Sequence, residues 1–148
     1  MAPHRVLLAA ADSGLAMRLT LVHAIARGGL ALIFAYQGLV PKLIAGHPDE
    51  VAMLRNAGVA PEITGSALTA LGVAELLLAA GLLVFWRRRE PAAICLGLML
   101  VATLAVVVSS PRYLVAAFNP ATLNLAVACL AAIDYSILGE RPSEGARL

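Results

Sequence analysis

Four stretches of this chain stay apolar for about 20 residues each, the length that crosses about 30 Å of hydrocarbon at 1.5 Å per residue. They run from Leu19 to Val40, Gly65 to Trp86, Ala92 to Ser110 and Ala121 to Leu138, with Pro41, Pro91, Pro111 and Pro120 at their borders. Lipid offers no partner to an unpaired backbone group, and no strand-like alternation is visible, so helices are expected. The composition agrees, with 61% hydrophobic and only 14% charged residues, against about 25% charged in an ordinary soluble domain. The chain is therefore expected to be all-α: a four-helix transmembrane bundle over 19–138, with a leader at 1–18 and a tail at 139–148. In the leader, the apolar core "VLLAAA" before Asp12 falls short of the roughly 7 to 15 residues of a signal sequence, so a surface-lying segment is expected.

Charge asymmetry orients the spans. Arg5, Arg18, Arg87, Arg88, Arg89, Arg141 and Arg147 fall on one side, and only Lys42, Arg55 and Arg112 on the other. The positive-inside rule then puts both termini and the "WRRRE" turn in the cytoplasm of a multi-pass plasma-membrane protein, with Trp86 as an interface anchor. Outside lies the connection 43–64. Its "HPDEVAMLRNAG" reads as a short helix, with Pro48 in the first turn, Asp49 and Glu50 at its positive end and Gly58 at its exit. This helix is expected to be a plain connector, with a position on the membrane surface or as a lid on the bundle as the alternative.

Several chemistries drop out. A net charge of +2 gives nucleic acid no electrostatic footprint. Cys95 and Cys129 sit in apolar runs without metal-ligand spacing, offset by roughly 7 Å along the membrane normal, which disfavours a disulfide. Haem needs axial ligands from facing spans, a metal site needs several His or carboxylate groups in reach, and no nucleotide-binding glycine motif is present. A bound cofactor would be non-covalent and amphipathic.

Two full charges lie deep in the spans, Arg27 and Glu75, each costing about 2.5 to 3.5 kcal/mol at a helix centre. Arg27 is roughly 14 Å from Arg18, and Glu75 roughly 16 Å from Trp86. On that reckoning they share one layer and are expected to pair. Toward the outer face Gln37 and Asn124 stand at similar heights, with Lys42, Ser109, Ser110 and Asn119 at the rim. Toward the cytoplasm His23 lies four residues before Arg27 on the same face, with Asp134 and Tyr135 at comparable depth. Together these residues imply a polar seam down the bundle. Each also has a purely structural alternative: inter-helix hydrogen bonds worth around 0.6 kcal/mol for Gln37 and Asn124, a headgroup position for His23 and Asp134, an aromatic-belt position for Tyr135. Pro41 lacks an amide hydrogen and crowds the carbonyl of Gln37, so the helix should kink or close there. Gly38 would admit a neighbouring backbone. The expected result is a bundle mouth where Gln37 and Lys42 face Asn119 and Asn124.

The strings "YQGLVPKL", "GVAELLLAAGLL" and "FNPATLN", with Arg27 ahead of the first, resemble the DoxX-like family of small four-helix membrane proteins, from about Arg27 to Leu130. The resemblance carries over Arg27, Gln37, Gly38, Pro41, Lys42, Glu75, Asn119, Pro120 and Asn124; His23 and Asp134 are outside its pattern. The wider family is named for a membrane subunit of a thiosulfate to quinone oxidoreductase, and other members act in redox or oxidative-stress assemblies. The first reading built on it is a redox-linked subunit binding a quinone-like molecule, its ring carbonyls expected to meet Gln37, Lys42 or Asn124, with an oxidoreductase partner to carry electrons. Two other readings stand beside it: a non-catalytic scaffold or accessory subunit, and a small transporter or proton path through His23, Arg27, Glu75 and Asp134. Small residues at Ala24 and Gly28, or Ala128 and Ala132, offer close-packing faces for a homo-oligomer.

Overall fold

The computed structural model describes residues 3–117 and 119–139, with side chains from Ser13 onward. The tail and the arginines at 141 and 147 lie outside the described residues. Five α-helices follow one another: α1 (Pro3–Gln37), α2 (Pro48–Asn56), α3 (Pro61–Val84), α4 (Glu90–Ser109) and α5 (Pro120–Gly139). A π-helical turn, Gly38–Ile44, extends α1, and a 3-10 turn, Pro111–Val115, precedes α5. No strand occurs among the described residues. Four helices, counting α1 with its π extension, are long and apolar enough to cross a membrane.

Proline sets most of the starts. Pro48, Pro61, Pro91 and Pro120 each occupy a first turn, where a missing N–H costs nothing and the fixed φ already suits the helix. α1 begins at Pro3, so the segment set apart as a leader continues the first helix.

The bundle is closed on three sides. α1 packs between α3 and α5, and α4 packs on α5, whereas α3 and α4, although joined by a tight turn, hardly touch. The core lies where the three packed seams converge, among Leu30, Phe34, Ala79, Leu82, Cys95, Val127 and Ala131. Both cysteines are free thiols, Cys95 buried and Cys129 exposed.

One contact fixes α1 against α3. A β-carbon placed on Gly38 would stand 2.6 Å from the carbonyl oxygen of Gly72, and one on Gly72 would stand 2.9 Å from that of Gly38. Only glycine permits two backbones to meet this closely. Of the kink or closure expected at Pro41, closure does not occur. The backbone widens instead, with Ala45 N donating to Val40 O five residues back at 2.9 Å, a register that tolerates proline's missing donor by moving each bond one residue on. The helix therefore runs on to Ile44 and carries Lys42 inward.

Candidate functional site

Two polar clusters occupy opposite ends of the bundle. At the end bearing the α3–α4 turn, Arg27, Asp134 and His23 are buried, at 0%, 0% and 1% exposure. Arg27 donates from one terminal nitrogen to Asp134 Oδ2 at 2.6 Å, from Nε to the Leu82 carbonyl at 2.8 Å and from the other terminal nitrogen to the Phe85 carbonyl at 2.7 Å. His23 Nδ1 lies 2.7 Å from Asp134 Oδ1, and Nε2 lies 3.1 Å from the Trp86 carbonyl. Both ring nitrogens thus face acceptors, and both donate only when both carry protons. The Trp86 ring meets the imidazole edge-on at 5.1 Å. The carbonyls of Leu82, Phe85 and Trp86 lie in the last turn of α3 and just past it, where a helix leaves acceptors open; side chains of α1 reach all three, and Phe85 O also accepts from Arg88 N at 2.9 Å.

The expected pair of Arg27 with Glu75 does not form. Its premise was that Arg18 and Trp86 stand level, but His23 is the residue level with Trp86. α1 is therefore displaced by five residues, about 7.5 Å along its axis, which carries Arg27 to the end of α3 and away from Glu75. Asp134 is its carboxylate instead. Tyr135 takes no part; it is exposed beneath the Arg89 guanidinium, 5.3 Å from the ring centre.

Glu75 belongs to the other end, where Gly38 packs on its β-carbon. Its Oε1 is 3.1 Å from Lys42 Nζ, which also lies 3.5 Å from Glu50 Oε1 and 3.5 Å from the Gln37 carbonyl. This cluster borders a cavity of about 800 Å³, within the range of small-molecule sites. Gln37, Lys42, Glu50, Glu75, Asn119 and Asn124, with the hydroxyls of Ser109 and Thr122, form its polar part. Its walls are apolar: Phe34 from α1, Leu71 and Ala74 from α3, Leu98, Val101 and Ala102 from α4. The cavity lies on the open side of the bundle, and Leu71, Leu98 and Val101 at the gap are all exposed. Gln37 with Ile33 and Leu123 also lines a shallow groove on the outer face between α1 and α5.

α2 roofs the cavity with Met53 and Leu54. Three polar contacts hold it: Lys42 with Glu50, Asn56 Nδ2 donating to Ser110 Oγ at 3.0 Å, and Tyr113 OH donating to Asp49 Oδ1 at 3.0 Å. Glycines with positive φ flank it, Gly46 at 53° and Gly58 at 91°, conformations open mainly to glycine. Asn119 caps α5, its Oδ1 accepting from Thr122 N at 2.8 Å, with Pro120 next in the first turn. Asn124 Nδ2 donates to Thr103 Oγ1 at 3.2 Å.

The structure thus brings Gln37, Lys42, Glu75, Asn119 and Asn124 to one cavity, and Arg27, His23 and Asp134 to a separate cluster. The apolar core around Leu30, Phe34, Ala79 and Val127 lies between them, so the expected seam is interrupted. Sequence reasoning missed Glu50, which it assigned only to the helix end, and the α3 carbonyls, which carry no side-chain signal. Among the described residues no group of His, Cys, Asp and Glu could hold a metal ion.

These features define a small helical membrane protein with four candidate spans and an interior cavity. The model of the DoxX-like family matches residues 31–132, and the chain belongs to that family. The matched segment contains every polar residue of the cavity, while His23, Arg27 and Asp134 fall outside it. No curated protein and no solved structure matches the chain.

Proposed function

We propose that this protein binds a lipophilic small molecule of the quinone class in the cavity between α3 and α4, as the membrane subunit of a redox assembly. The observation that supports this is the mixed wall of the cavity: apolar side chains from α1, α3 and α4, with Gln37, Lys42, Glu50, Glu75 and Asn124 among them. Such a wall suits a ring with polar substituents on an apolar tail. The residues contain no recognisable electron carrier, so electrons would pass through an oxidoreductase partner. The arginine asymmetry favours cytoplasmic termini in a plasma membrane, and the small residues of α1 and α5 leave a second copy as a further partner.

The test is ligand-induced stabilisation of the protein in lipid nanodiscs, using a short-tailed quinone in oxidised and reduced forms. Wild type should gain thermal stability with ligand concentration, and Ala102→Trp, which fills the cavity, should remove the gain. A melting profile indifferent to both forms would end the proposal.

A second reading, a scaffold or accessory subunit, is favoured by the cluster of Arg27, His23 and Asp134. All its polar contacts are internal and tie α1, α3 and α5 together, as a structural lock requires. The apolar layer between the clusters argues against a proton path through all four of His23, Arg27, Glu75 and Asp134.

A further inference from the structure

The charged groups on the cavity wall do not balance. Lys42 brings one ammonium group, Glu50 and Glu75 two carboxyl groups, so acidic side chains outnumber the basic one. The ammonium has three N–H donors, and three acceptors already surround it: the Gln37 carbonyl, Glu50 Oε1 and Glu75 Oε1. Glu75 Oε2 is buried without a hydrogen-bond partner among the described residues. The hydroxyls of the wall are also committed, Ser109 to the Ala105 carbonyl and Thr122 to the Asn119 carbonyl.

Asn124 is oriented by its neighbour. Thr103 gives its proton to the Met99 carbonyl at 2.7 Å, so toward Asn124 it only accepts, and the amide nitrogen must be the group facing it. That leaves Asn124 Oδ1 as one more open acceptor. Among the described residues the uncommitted donors are the neutral amides of Gln37 and Asn119 and the second N–H of Asn124, whereas the uncommitted acceptors include carboxylate oxygens. A hydrogen bond to an ionised group is roughly twice as strong as a neutral one, so the carboxylates decide what the wall prefers.

We infer, resting on the reading of the cavity as a binding site, that its ligand is a hydrogen-bond donor: the reduced, diphenolic form of a quinone-class ring, whose hydroxyls donate to Glu75 and Asn124. The oxidised ring offers carbonyls alone, which accept but cannot donate, and would leave those oxygens unpaired. A site built around a hydroxyl discriminates strongly against the analogue that lacks it. An anionic head, whether carboxylate or phosphate, meets two carboxyl groups against one ammonium already engaged by them and is rejected.

The experiment compares three probes of nearly one shape, duroquinol, duroquinone and the redox-inert dimethyl ether of duroquinol, titrated anaerobically by calorimetry into the protein in nanodiscs. Duroquinol should bind at least about tenfold more tightly than either of the others, the ratio that a hydrogen bond to a charged acceptor gives. In Glu75→Gln the preference should shrink severalfold. Equal binding of all three to wild type would overturn this inference and leave the cavity reading standing. Binding of none would overturn both. An unchanged ratio in Glu75→Gln would likewise overturn the assignment to that carboxylate, and the wild-type comparison needs no variant to fold.

Discussion

Arg27 of α1 and Asp134 of α5 stand 107 residues apart in the chain and 2.6 Å apart in space, with neither side chain reaching the surface. α5 returns to α1 only after α2, α3 and α4 have been laid down, so this pair closes the bundle. Removing one partner leaves the other charge buried and uncompensated, a loss of about 3 to 5 kcal/mol. Arg27→Ala should lower unfolding stability in detergent by that amount. The double variant Arg27→Met with Asp134→Leu, which removes both charges, should be much less damaging; equal damage from the two would contradict the pairing.

The contact between Gly38 and Gly72 makes a size-dependent prediction. An alanine at position 72 would press its methyl to 2.9 Å from both the Gly38 carbonyl oxygen and Leu43 Cγ, and overpacking of this kind costs about 1 to 3 kcal/mol. Gly28 has nothing within 4 Å of such a methyl, so Gly28→Ala should be neutral or stabilise by up to about 1 kcal/mol. Thermal unfolding of the two variants side by side checks the contrast.

The roof over the cavity should loosen independently of the bundle. Asn56→Ala removes the contact to Ser110, and Tyr113→Phe removes the one to Asp49. Each should speed amide hydrogen exchange in α2 while changing global stability by about 1 kcal/mol or less. Faster exchange spread evenly through α3 and α5 would show that α2 is not a separate unit.

Topology is open to labelling. Arg88 is 71% exposed in the α3–α4 turn, and its contact with Glu90 at 3.8 Å is a surface pair of the kind that contributes little. In a background lacking Cys95 and Cys129, Arg88→Cys should react with a membrane-impermeant maleimide in inside-out vesicles and not in intact cells. Labelling in intact cells would invert the orientation.

How much of this was visible in the amino acids depends on the range of the interaction that decides each feature. The four long helices were legible because hydrophobic length and proline act locally. The gathering of Gln37, Lys42, Asn119 and Asn124 followed from their common height at span ends. The partner of Arg27 was not legible, because depth along separate helices is known only once one inter-helix contact fixes their relative slide, and the meeting of His23 with Trp86 supplies that contact. The widening at Pro41 was hidden for a related reason: closing the helix and changing its register both answer a missing donor, and the close seat of Gly38 on Gly72 keeps the backbone running. Glu50 was hidden because an acidic residue in a first turn already has a local explanation.

The scant contact between α3 and α4 bears on how any affinity for this protein should be expressed. A molecule arriving through that gap comes from the acyl chains, and the supply that governs occupancy is its mole fraction in lipid. Each methylene added to its tail enriches the lipid phase by about 0.8 kcal/mol, so apparent potency would climb with tail length even where the tail touches no protein. Dissociation constants referred to water would then track oil solubility, and those referred to the membrane would report the pocket.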